Sequence, residues 1–187
     1  MGVLMKTKYT LEEEIIHFVF LAFYGLKRKK EDVDLSFHSI MVGIMLKNIG
    51  CSEDIVYIGY LHDIIEDSNY TYLDLENRFG KEIADGVLNL SEDQSISDYR
   101  KRKSNFIENL YSVDHSLILV EVADKLQNLI SDYNLYLNKG RPSLITECEN
   151  YEDLKWYYLE LQKLFHAKLE NNSLLDRYDE IVSEYFS

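Results

Sequence analysis

Tyr60-Leu-His-Asp-Ile-Ile-Glu-Asp67 is the stretch on which the reading of this chain turns. At the ~100° per residue of an α-helix, His62, Asp63, Glu66 and Asp67 fall within one arc of ~140°, opposite Leu61, Ile64 and Ile65. One face is therefore core, and the other carries three carboxylates and an imidazole. Taken alone, this pattern also describes a surface helix with a charged outer face. Neighbouring His and Asp side chains on a helix point ~100° apart, so they clasp one side of an ion and leave the rest of its shell to other elements.

Two such groups stand outside the stretch. His38 lies among Phe37, Ile40, Met41, Ile44 and Met45, where an imidazole needs a partner, ordinarily a backbone carbonyl. Asp124 lies in Leu119-Val-Glu-Val-Ala-Asp-Lys-Leu126, a run so apolar that burying a carboxylate there is costly unless it meets a cation. Asn128 follows one turn later on the same face and can hydrogen-bond to whatever Asp124 holds.

Helix signals recur around these residues. Thr10-Leu-Glu-Glu13 is a capping box that predicts a helix to about Leu26, and Ser36, Ser52 and Thr71 are candidate N-caps for the next three. Gly50 and Gly80 mark stops. A polar helix is expected between Ser97 and Tyr111, an apolar-rich one from Asp114 to Leu137, and further helices from the first turn at Pro142, over Tyr151 to Glu170 and over Leu174 to Phe186. No period-2 strand pattern competes, so the fold class is all-α.

With 187 residues, 46% of them hydrophobic, the chain can bury the core of a single domain without cross-links. Cys51 and Cys148 form no CxxC pair, which implies neither a disulfide framework nor a cysteine zinc site. The apolar stretch Ile15 to Leu26 is shorter than the ~20 residues of a membrane span, and Glu12, Glu13 and Glu14 precede it where a signal peptide carries positive charge. The cytoplasm is the expected compartment.

The net charge of −13 opposes binding to nucleic acid or anionic membrane. Eight of the 20 basic residues nevertheless fall in two runs, Lys27-Arg28-Lys29-Lys30 and Arg100-Lys101-Arg102-Lys103. Such patches on an acidic body suit a small anionic ligand, although each is also compatible with a solvated helix end.

His38, then His62-Asp63, then Asp124 form the order H…HD…D, which resembles the HD superfamily of metal-dependent phosphohydrolases. The resemblance is closer to its alarmone-hydrolase branch, the hydrolase domains of RelA/SpoT proteins and the small hydrolases of the Mesh1 type. HDxxED stands at 62–67, Ala-Asp-Lys-Leu-Gln-Asn at 123–128, Arg-Phe-Gly at 78–80, and Ser91-Glu92-Asp93 where the family favours Thr-Asp-Asp, with Arg28-Lys29 ahead of His38. The likeness runs from Ala22 to Tyr133. Leu35-Ser36-Phe37 departs from the Pro-Tyr that the family often carries before its first histidine.

The resemblance implies one HD-type helical bundle over 1–187, with a family-like core over about 22–133 and C-terminal helices over about 142–186. It implies a metal on His38, His62, Asp63 and Asp124. This mixed N/O set suits Mn²⁺, Fe²⁺ or Zn²⁺ better than Mg²⁺ or Ca²⁺, and the resemblance favours Mn²⁺. It further implies acid/base roles for Glu66 and Asp67, and nucleotide contacts from Arg28, Lys29, Lys103 and Asn128. The expected reaction removes the 3′-pyrophosphate of ppGpp or pppGpp to give GDP or GTP, with no synthetase segment. The alternatives are an HD hydrolase acting on the 2′-phosphate of NADPH, a nucleoside monophosphate or a cyclic nucleotide, and a non-catalytic nucleotide sensor. A sensor would not need a water-activating site.

Overall fold

The computed structural model describes residues 9–28, 32–139 and 150–187, and these form ten α-helices and no strand. The first helix, α1 (Leu11–Ala22), begins with the expected capping box: the Thr10 side chain accepts from Glu13 N–H, and Glu13 accepts from Thr10 N–H at 2.7 Å. It stops at Ala22, not near Leu26. Beyond it Gly25 takes φ +77°, and an antiparallel bridge joins Lys27 to Asp34. Arg28 is thereby pinned, its N–H donating to Val33 O at 3.0 Å.

The next helix, α2 (Leu35–Asn48), is capped at the Asp34 position, so Ser36 is a buried first-turn residue and not the expected N-cap. Gly50, at φ +82°, separates it from α3 (Glu53–Leu61), which starts after Ser52 as its sequence suggested, without a side-chain capping bond. The helical ladder breaks at His62-Asp63 and resumes as the one-turn α4 (Ile64–Asp67), where Asp67 N–H donates to Asp63 O at 2.9 Å. The stretch 60–67 is thus not one continuous helix.

Thr71 and Asp74 form a second capping box that opens α5 (Tyr72–Phe79), and Gly80, at φ +95°, turns directly into α6 (Lys81–Asn89). Asp98 caps α7 (Tyr99–Leu110), and the long α8 (His115–Lys139) follows. After Asn150 and Asn172, which cap their N-termini, come α9 (Tyr151–Lys168) and α10 (Ser173–Tyr185). The helical start expected at Pro142 lies outside the described residues, as does Cys148.

One hydrophobic cluster takes residues from every helix, from Ile15 in α1 to Tyr185 in α10. Its axis is α8, whose Val120, Val122, Ala123, Leu126 and Leu129 are almost fully buried. Against α8 pack α2, α3 and α10. Close approach of α2 to α3 depends on two glycines: Gly43 faces the Tyr60 ring, and Gly59 faces Leu46. A side chain at either position would push the two histidine-bearing segments apart. On the other side of α8, Tyr158 and Tyr178 are fully buried, and the Tyr178 hydroxyl donates to Tyr158 O at 2.9 Å, tying α10 to α9.

Candidate metal centre and active site

His38 leaves α2, His62 and Asp63 leave the break between α3 and α4, and Asp124 leaves α8; their side chains meet at one point. The two imidazole Nε2 atoms are 3.2 Å apart. Asp124 Oδ1 is 3.0 Å from His38 Nε2 and 3.6 Å from His62 Nε2. The two oxygens of Asp63 lie 3.3 and 3.1 Å from the same two nitrogens. His38, His62 and Asp124 are buried, and each offers a ligand atom within 4.8 Å of the others; the Asp63 side chain is 21% exposed and faces the opening. The break after Leu61 matters here, because it lets two consecutive side chains turn towards the same point.

Each imidazole is held by its other nitrogen. His62 Nδ1 sits 2.9 Å from Gly59 O, and His38 Nδ1 sits on the amide oxygen of Gln127. With Nδ1–H donating in both rings, both Nε2 atoms present lone pairs to each other and to two carboxylates. Four electron-rich donors this close need a proton or a cation between them. Metal–ligand bonds of about 2.0–2.2 Å place neighbouring ligands about 3.0–3.5 Å apart, so the observed 3.0–3.6 Å spacing fits one transition-metal ion. The donor set therefore fits the divalent metal that the family implies.

The electrostatics agree. Burial alone would depress the His62 pKa, yet the Asp63 and Asp124 carboxylates reverse this and hold it well above the ordinary value. Burial likewise opposes ionisation of Asp124, but Lys125 and the two histidines keep its carboxyl well below the usual range. Lys125 Nζ lies 2.7 Å from Asp124 Oδ2, while Asn128 donates to Oδ1 at 2.8 Å. One oxygen is thereby assigned to the lysine, and the other is left facing the histidines. Glu121, 3.5 Å from Lys125, is pushed up to about 8 by burial, which Lys125 opposes.

His38, Asp63 and Asp124 line a cavity of about 450 Å³. Glu66 lines it, with Oε1 accepting from Glu92 N–H and Oε2 from Gln94 Nε2, both at 2.7 Å. Burial, followed by the Asp63 carboxylate, raises the Glu66 pKa to about 7. Asp67 is exposed and also lines the cavity. Arg28 reaches in from the loop after α1, its guanidinium donating to Gln127 Oε1 at 3.2 Å and Asn128 Oδ1 at 3.1 Å. Lys103 also lines the cavity and donates to Glu92 at 2.6 Å. Lys29 lies outside the described residues. Asn128 meets Asp124 itself as well as Arg28.

Lys125, Gln127 and Glu92 stand inside the motifs quoted above but were expected to do nothing at the site, and Gln94 was not singled out at all. Gln127 and Asn128 are three and four residues after Asp124, a spacing that puts all three on one helix face and would have flagged the glutamine. Nothing local links Gln94 to Glu66.

A family model described as the HD domain matches residues 20–142. A probable guanosine-3′,5′-bis(diphosphate) 3′-pyrophosphohydrolase of Synechocystis is 30% identical over 111 residues, 57% of this chain and 15% of that protein. The guanosine-3′,5′-bis(diphosphate) 3′-pyrophosphohydrolase MESH1 of Drosophila melanogaster is 30% identical over 107 residues, 55% of this chain and 59% of that one. The match thus spans less than two thirds of either relative. The solved structure of a metazoan orthologue of SpoT that hydrolyses ppGpp has a TM-score of 0.76 at 22% identity, covering 96% of this chain and 98% of that one. This likeness carries the helical fold. Since the family match takes in His38, His62, Asp63 and Asp124, the chain belongs to the HD domain family.

Proposed function

We propose that this chain is a metal-dependent hydrolase that removes the 3′-pyrophosphate from ppGpp or pppGpp, leaving GDP or GTP. The observation that carries this reading is the convergence of two imidazoles and two carboxylates, three of the four lining a cavity that Glu66, Asp67 and the cations Arg28 and Lys103 also line. The names of the curated relatives and the HDxxED and ADKLQN motifs support the substrate.

His38, His62, Asp63 and Asp124 would hold the ion. Their mixed N/O character suits Mn²⁺, Fe²⁺ or Zn²⁺, and the resemblance to alarmone hydrolases favours Mn²⁺. A divalent ion held there would supply Lewis acidity for activating water near neutral pH and polarising a phosphoryl oxygen. Glu66, with a pKa near 7, exchanges protons with the attacking water, and Asp67 serves the leaving oxygen. A bond forms between water oxygen and the phosphorus beside the ribose 3′-oxygen; the P–O3′ bond breaks, and the ribose oxygen takes a proton. Arg28, held flat by Gln127 and Asn128, meets an anionic group or stacks on the purine, and Lys29 and Lys103 add charge against the diphosphates. We assign the activity to the cytoplasm and to a single domain over 1–187.

The test is hydrolysis of ppGpp with Mn²⁺, alongside NADPH, a nucleoside monophosphate and cyclic nucleotides, with a His62→Ala/Asp63→Ala control. GDP and pyrophosphate from ppGpp alone, lost in the control, is the expected result. Turnover of another nucleotide only would keep the HD chemistry and remove the substrate assignment. Metal binding without any turnover would make the protein a sensor.

A further inference from the structure

Three of the four cations in the second basic run, Arg100, Arg102 and Lys103, pair within the protein. Arg100 lies over the Trp156 ring, 4.7 Å from its centroid, and pairs with Asp153 at 3.0 Å. Arg102 Nε and Lys103 Nζ both bind Glu92, at 3.0 and 2.6 Å, and Arg102 also donates to Ile96 O at 2.9 Å. The Glu92 side chain is only 7% exposed, so these are desolvated, charge-assisted bonds that fix the loop between α6 and α7. From that fixed loop, Glu92 N–H reaches one oxygen of Glu66, and Gln94 reaches the other.

A glutamate carboxyl turns readily about its last torsion, so either oxygen can face a reacting group. Two donors on opposite oxygens remove that freedom. We propose that Gln94 is a positioning residue for Glu66, holding its carboxyl in one geometry from a loop anchored by Glu92 on Arg102 and Lys103. This rests on the reading that Glu66 transfers protons in hydrolysis. Gln94 is exposed and belongs to no helix, so its loss leaves the core intact. The other charged groups acting on Glu66 are Asp63, Glu92 and Lys125, and none of them is altered by changing Gln94.

The experiment is steady-state hydrolysis with saturating Mn²⁺ by the intact chain and three variants. Gln94→Met keeps length and loses the donor; its kcat falls about tenfold, with KM within about twofold. Gln94→Lys restores a donor and recovers most of kcat. Gln94→Glu sets an acceptor against the carboxylate and falls below Gln94→Met. A Gln94→Met enzyme with unchanged kcat, or one altered only in KM, overturns the proposal, as does failure of Gln94→Lys to exceed Gln94→Met. A double-mutant cycle of Glu66→Ala and Gln94→Met, read in urea midpoints, decides the contact independently of substrate. Coupling is expected and additivity overturns it. Coupling in a protein that hydrolyses no nucleotide would refute the hydrolase reading while leaving the contact in place.

Discussion

Gly43→Ala tests whether the site depends on how closely two helices approach. The added carbon would stand 2.7 Å from Tyr60 Cγ and closer still to Cδ1 and Cε1, where unbonded carbons settle at about 3.5–4.0 Å. Tyr60 has no room to yield: it is 1% exposed, and its hydroxyl donates to Glu12 at 2.9 Å. The strain must therefore part α2 from α3 by roughly 1.3–1.8 Å, the difference between these separations and the contact to Cδ1. Overpacking of this kind costs about 1–3 kcal/mol, and with the ring anchored at both ends the upper part of that range is expected. At about 2–4 °C per kcal/mol for a chain of this size, Tm falls by about 6–12 °C. His38 rides on α2 and His62 on the end of α3, so the same displacement spreads nitrogens that now stand 3.2 Å apart. It exceeds the ~0.5 Å tolerance of a preorganised site, and Mn²⁺ affinity falls by on the order of tenfold. Scanning calorimetry and isothermal titration with Mn²⁺ measure the two effects. Gly86→Ala is the control: the nearest neighbours of its carbon are the Ile58 side chain and a more distant Leu117 methyl, neither of them a metal-ligand candidate, so it is expected to cost stability with Mn²⁺ affinity kept. A Gly43→Ala protein that binds Mn²⁺ within about twofold of the parent would refute the link between helix spacing and the site.

Gln127→Ala removes the acceptor of His38 Nδ1 and one partner of Arg28, and metal affinity measured by titration calorimetry drops about 10–100-fold, while Gln127→Glu keeps most of it. Stripping the metal with a chelator lowers Tm, because an ion bound only by the folded state at a hundredfold its Kd contributes about 2.7 kcal/mol; an unchanged melting curve would contradict the metal site. In metal-free protein, Glu66 keeps its proton up to about 7 when folded, against about 4.5 otherwise. The native state therefore binds more protons across that window, so Glu66 makes stability fall as pH rises through it. Urea midpoints near pH 5 and near pH 7 should differ less in Glu66→Gln than in the parent, and an unchanged difference would argue against the raised pKa.

Much of this was legible in the chain itself. The capping box at Thr10–Glu13, the N-cap at Thr71, and the stops at Gly50 and Gly80 are local chemistry, and the structure realises each of them. So is the isolation of Asp124 in an apolar helix, which demanded a cation or a partner wherever that helix was placed. Helix ends set by tertiary contacts were less legible. The first helix ends at Ala22 because the chain leaves it to form the bridge between Lys27 and Asp34, and the same contact moves the next cap from Ser36 to Asp34.

The order of histidines and aspartates along the chain was enough to name the metal-ligand candidates, because residue type and spacing limit what chemistry a helix can present. Their convergence depended on the tertiary structure: on the break at His62-Asp63 that turns both side chains inward, and on two glycines that let α2 and α3 approach. The surrounding supports, Arg28 on Gln127 and Gln94 on Glu66, join residues far apart in sequence. Periodicity reports only which way a side chain leaves its own helix; which partner it meets is set by how the helices pack.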